Sequence, residues 1–246
     1  NYTALAGSPT SIFSIARNGV NLGHPTWGMQ PAGPMVNTYN ANVSMTFVDF
    51  PPAGTYSYSA VGCNPTGSGV LTAFGVGPAA LTVFEMKGAN VVTASSMQEA
   101  TVTGGNITGL SASIIPSKGP VLAIASLNHA GDGAVNWAHG TIARNGTNLA
   151  GATSQVLEVS NTANAVSNFS MMFLDQSPTI GGSNTYNVQA TQGAGTGKLN
   201  KNNSLGTLIL WELPDVNFKY ATSIATTTLA GTYTDVVPAT PTLQLS

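Results

Sequence analysis

Apolar positions along the chain recur every second residue, not every third or fourth. Val43, Met45 and Phe47 alternate with Ser44, Thr46 and Val48, and Phe169, Met171 and Phe173 repeat the pattern. A period of two marks a strand with one face in a core. Asn-Gly lies between alternating residues at Arg17-Asn18-Gly19-Val20 and again at Arg144-Asn145-Gly146-Thr147. Each predicts a tight hairpin, because a type I′ turn needs positive φ at both central positions. Asp49 to Gly54 and Asp175 to Gly182 both read as strand end, Pro-containing loop, glycine, then a new strand. The most apolar long stretch, Gly69 to Met86, is broken by Gly75, Gly77 and Pro78, so it predicts two short strands and not a membrane span. No window carries a capped stripe of helical period. The prediction is an all-β chain of antiparallel sandwiches, jelly-roll-like in each half.

The halves are predicted because the chain repeats itself. Ile15 to Leu22 returns as Ile142 to Leu149, offset by 127 with seven of eight residues identical. Val43 to Asp49 returns as Phe169 to Asp175, offset by 126, and Leu81 to Met86 as Leu208 to Leu213, offset by 127. Gly54 to Ala60 is set against Asn184 to Ala190, an offset of 130. The weaker tail keeps step, with Ala94, Ser96, Thr101 and Gly104 falling on Ala221, Ser223, Thr228 and Gly231. A unit this long is too large for a solenoid repeat and has the size of a domain. Two domains are expected, 1–110 and 111–246. The run Val121 to Ala125 has its counterpart ahead of Asn1, while the tail 236–246 runs on past the second copy, which suggests either an exchanged strand or a first strand that was cut away.

Composition narrows the function. Only 7% of the 246 residues are charged, with 7 Lys+Arg against 9 Asp+Glu and a net charge of −2. Ordinary soluble domains carry about a quarter. Seven scattered cations build no phosphate-neutralising surface, so no nucleic acid is expected as a partner. Cys63 is the single cysteine, which excludes internal disulfides and Cys-based zinc sites and reads as a small buried or half-buried thiol. The opening residues carry no charged segment followed by an apolar one, so neither a signal peptide nor a membrane partner is expected. Six Asn-X-Ser/Thr sequons follow from the richness in those residues.

Six of the sixteen charges form recurrent pairs: Arg17 with Arg144, Asp49 with Asp175, and Glu85 with Glu212. A charge kept at one place in two diverged copies suits a structural device, since a carboxylate at a strand end can accept backbone N–H bonds and an arginine can clamp a carboxylate. His129, Asp132 and His139 are the one cluster of metal-competent side chains. Their spacing fits no common metal motif and the first copy lacks them, so they read as loop polar residues and neither metal nor cofactor is expected. There is no Gly-X-Ser-X-Gly elbow, Walker loop or dinucleotide fingerprint, and Gly193 to Gly197 reads as a hairpin tip. No catalytic residue is assigned. Trp211 aligns with Phe84 and reads as core or interface, whereas Trp27 and Trp137, in loop-like contexts, are the candidates for stacking on a glycan.

Together, Ile-X-Arg-Asn-Gly-X-Asn-Leu, Phe-Val/Leu-Asp before a Pro-containing loop, a glycine followed closely by Tyr, and a closing apolar strand ending in Glu resemble the jelly-roll structural modules of tailed-bacteriophage virion proteins. The likeness spans about residues 11–104 and 134–231. It implies a non-enzymatic virion component of the decoration or fibre type, often trimeric, and defines no catalytic residues. The expected partners are therefore copies of itself and other virion proteins such as the major capsid protein. The alternative is a receptor- or glycan-binding module of a phage tail or fibre. A secreted hydrolase is the third reading, and the acidic cleft it needs is missing.

Overall fold

The computed structural model describes residues 2–4, 11–26, 28–32, 40–41, 43–63, 69–70, 80–86, 89–102, 105–131, 136–150, 157–161, 166–194, 196–200 and 203–213. Among the described residues the regular elements are eighteen strands. The earlier ones are β1 (Tyr2–Ala4), β2 (Ser11–Arg17), β3 (Val20–Asn21), β4 (Gln30–Ala32), β5 (Asn40–Ala41), β6 (Tyr58–Cys63) and β7 (Gly69–Val70). Then come β8 (Val91–Ser96), β9 (Ala100–Thr101), β10 (Asn106–Ile114), β11 (Val121–Gly131), β12 (Asn136–Arg144) and β13 (Thr147–Asn148). The last are β14 (Leu157–Asn161), β15 (Val166–Asp175), β16 (Asn184–Ala194), β17 (Gly197–Leu199) and β18 (Gly206–Glu212). Every ladder is antiparallel. The chain is all-β.

A sandwich forms around β11. A six-stranded sheet runs β8-β18-β11-β17-β9 with β15 also on β11, and faces a five-stranded sheet of β10-β16-β12-β13 with β14 on β12. Alternation decides the core: Val121, Ala123, Ala125 and Leu127 of β11 are all buried, as are Leu208 and Leu210 of β18. They meet Leu110, Ile114, Ile142, Tyr186 and Val188 of the opposite sheet. Burying each such aliphatic side chain contributes roughly 1.5–3 kcal/mol. In β10 the alternation slips at Gly109, where the register against β16 shifts. Gly109 has φ +80°, and a Cβ there would lie 2.9 Å from the Ser96 Cβ of β8, so only glycine fits this bulge.

Strand composition crosses the expected division of the chain. Residue 110 falls inside β10, and β8, β9 and β10 pair with β18, β17 and β16. The N-terminal part contributes a four-stranded sheet, β3-β2-β4 with β6 on β2, and a three-stranded sheet, β5-β1-β7. The four-stranded sheet lies on the outer face of the six-stranded sheet, where Gln30 Nε2 donates to Ser126 Oγ (3.3 Å) and Leu205 N to the Gly28 carbonyl (3.2 Å). Asn168 Nδ2 donates to the Ser44 carbonyl (2.6 Å) and Thr207 Oγ1 to that of Thr46 (3.1 Å). This cover explains why β18 is buried on both faces.

Two expected strands are not formed. Residues 43–48 and 81–86 run without a ladder, whereas their counterparts are β15 and β18. Both counterparts are held by β11. Of the positions set against β11 by the 127-residue offset, only Tyr2–Ala4 are described, and they pair with β5 and β7. Neither segment is held by a strand in the way β11 holds β15 and β18. The Gly193 to Gly197 run is likewise no hairpin tip: it leads from β16 in one sheet to β17 in the other. Cys63 is exposed, not buried, because β6 packs on β2 by one edge and leaves its faces open.

Candidate functional site

The recurrent charges assemble into two matched clasps. Both Asn-Gly turns have the predicted backbone, with φ 49° and 81° at Asn18 and Gly19, and 49° and 82° at Asn145 and Gly146. In each, the asparagine bridges to the next strand. Asn18 N donates to the Ser57 carbonyl and Ser57 N returns a bond to Asn18 Oδ1, both 2.8 Å. Asn145 and Thr185 do the same at 2.8 and 2.9 Å. The arginine before the turn then reaches the aspartate at the loop start. Arg17 Nη1 lies 2.9 and 2.8 Å from the two Asp49 oxygens, and Arg144 Nη1 lies 2.7 Å from Asp175 Oδ2.

A tyrosine completes each clasp. Tyr58 Oη donates to Asp49 Oδ2 (2.8 Å) and Tyr186 Oη to Asp175 Oδ2 (2.6 Å). Burial first, and then the aspartate beside it, raise both phenols above their ordinary value, Tyr186 more than Tyr58. The tyrosines stay protonated and act as donors to a carboxylate already neutralised by arginine. Arg144 also donates to the Ser177 carbonyl (2.5 Å), and Arg17 stacks over the Tyr56 ring (5.4 Å). Sequence matching set Tyr56 against Tyr186, but the bonds make Tyr58 the counterpart, an offset of 128. The missed signal was pairing register: Tyr58 faces Arg17 across a ladder, and Tyr186 faces Arg144.

Glu212 is the most strongly held group. Its Oε1 accepts from Ser117 N (2.7 Å), Ser117 Oγ (3.0 Å), Lys118 N (2.7 Å) and Gly119 N (3.3 Å). Its Oε2 accepts from Asn90 Nδ2 (2.7 Å). Burial pushes this carboxyl up, but the bonds from Asn90, Lys118 and Ser117 together outweigh it and hold the group at about 2. Glu85 is exposed instead, and no described residue hydrogen-bonds its carboxylate. The two glutamates therefore share a sequence position but not an environment.

His129 is buried in β11 and His139 lies in β12, while Asp132 is outside the described residues. Among the described residues no group of three or more His, Cys, Asp or Glu is placed to hold a metal ion. No helix of the described residues is long and apolar enough to cross a membrane. Trp27 and the tail 236–246 lie outside the described residues; Trp137 is in β12, its side chain outside them. Trp211 is half-buried in β18 between Leu122 and Val91.

No protein-family model matches the chain, and no curated protein does. Solved structures similar to it are of infectious bursal disease virus. The structure of the Gx strain matches at 14% identity over 86% of this chain, with a TM-score of 0.31. The crystal structure of the VP2 subviral particle matches at 11% over 87%, TM-score 0.27, and that of the T13 viral particle at 14% over 86%, TM-score 0.26. The chain spans 59%, 62% and 57% of those chains. Likeness of this order assigns no family.

Proposed function

We propose that the chain is a non-enzymatic structural protein of a virus particle, of the decoration or fibre type in a tailed bacteriophage, that associates with copies of itself and with other virion proteins such as the major capsid protein. One observation carries the reading: the surface is nearly uncharged, yet displays large apolar side chains. Among the described residues Val20, Phe50, Val61, Leu81, Val83, Phe84, Met97, Ile115, Met172 and Ile180 are exposed, six of them within the first 86 positions. Apolar side chains exposed on a surface depleted of charge suit a protein–protein interface. The charges that are buried serve the fold, in the clasps and at Glu212, which supports structural use of Arg17, Asp49, Arg144, Asp175 and Glu212.

Immunogold electron microscopy tests the reading. An antibody to the chain should label particles that sediment from the culture producing it. A chain found wholly in the soluble fraction, with unlabelled particles, would overturn it.

A further inference from the structure

The strand that follows the first repeat's closing segment pairs with the second repeat and not with its own. Segment 81–86 closes the first repeat, and four residues later Asn90 and β8 join the closing strand of the second, β18. Asn90 Nδ2 donates to Glu212 Oε2 (2.7 Å), and Glu212 N donates back to the Asn90 carbonyl (3.0 Å). Asn90 therefore latches onto the second repeat's glutamate, although Glu85 of its own repeat is five positions away. The second repeat carries the same spacing: Glu212, then Asn217 and the segment Phe218 to Ser223. Those residues are the 127-offset counterparts of Asn90 and β8.

The acceptor they match is open. Leu208 and Leu210 of β18 are buried, whereas their counterparts Leu81 and Val83 are 43% and 57% exposed and Phe84 is 72% exposed. The relation between repeats also runs one way. Thr207 of the second repeat is covered by Thr46 of the first. The counterparts of these two, Ala80 and Met172, are both exposed, Met172 at 64%. A two-fold relation would have buried both pairs alike. A head-to-tail relation instead leaves the 81–86 acceptor without a strand, and a relation of that kind between copies closes a ring or runs on as an open filament.

We propose that residues 217–223 add as an antiparallel strand to segment 81–86 of a second copy of the chain, with Asn217 donating to that copy's Glu85. The β8–β18 register, shifted by the offset, sets Leu81 against Ala221, Thr82 against Tyr220 and Phe84 against Phe218. The inference deepens the self-associating reading above and specifies its contact.

Cysteine trapping in full-length chains tests it, in a Cys63→Ser background because that thiol is exposed. Opposed Cα atoms in an antiparallel ladder lie about 4.5–5.5 Å apart, within disulfide reach. Co-expressed Thr82→Cys and Tyr220→Cys chains should oxidise to a species of twice the single-chain mass on a non-reducing gel. A Lys219→Cys chain, with its side chain on the opposite face, should not trap Thr82→Cys. No trapping, or equal trapping by both, would overturn the proposal. So would a Thr82→Cys, Tyr220→Cys double variant that only closes on itself at single-chain mass. Asn217→Asp, which sets one carboxylate against another, should lower the particle mass in light scattering, and an unchanged mass would count against the latch. An oligomeric wild type that does not trap sinks the donated strand alone; a monomeric wild type sinks the self-association itself.

Discussion

Replacing Glu212 with glutamine keeps the size of the side chain but removes its charge and one acceptor. The amide oxygen can retain the Ser117, Lys118 and Gly119 donors, but the amide nitrogen then faces Asn90 Nδ2, donor against donor. The native carboxyl sits at about 2 against an ordinary 4.5. That difference is worth roughly 3 kcal/mol at neutral pH. Because the folded pKa is the lower one, this stability is complete above about pH 5 and is lost as pH falls towards 2. Glu212→Gln should therefore unfold about 3 kcal/mol more easily at pH 7, a drop of roughly 6–12 °C in Tm for a chain of this size. At pH 2 the gap between the two proteins should shrink below about 1 kcal/mol. Urea unfolding at both pH values reads the difference. A variant within about 0.5 kcal/mol of wild type at pH 7, or a gap that does not narrow in acid, would refute the reasoning.

Other substitutions test the clasps and the core. Tyr186→Phe removes the donor to Asp175 and should cost about 1–2 kcal/mol in urea unfolding. It should also flatten the loss of stability above pH 10, since a raised phenol pKa stabilises the fold only while the phenol is protonated. Gly146→Ala meets no atom within 4 Å but must hold φ 82°, so its cost, about 1–2 kcal/mol, is one of backbone conformation alone and should appear as a lowered Tm. Leu210→Ala opens the centre of the sandwich and should cost about 2–5 kcal/mol, readable by calorimetry.

What was legible in the sequence was whatever depends on neighbours along the chain. Alternation identified β15, and Asn-Gly identified both turns with their positive φ. The recurrence of Arg17 with Arg144 and Asp49 with Asp175 marked the clasp charges, which the fold brings together as ion pairs. Partners set by ladder register were not legible: Tyr58 was passed over for Tyr56 because both are tyrosines in an alternating run. Nor was the fate of 43–48 and 81–86, which have strand patterns but join no ladder. A pattern specifies which face would be buried, not whether a partner is present to bury it. Glu85 shows the same limit, since it matches Glu212 in sequence while the donors that hold Glu212 come from Asn90 and the 117–119 turn.

The claim that this weakly charged chain with open apolar segments is built to associate with its own copies has one direct measurement. Multi-angle light scattering of the full chain at micromolar concentration should give a multiple of the 25.0 kDa monomer, with a trimer of three times that mass expected. A monodisperse 25.0 kDa particle across that range would contradict the account.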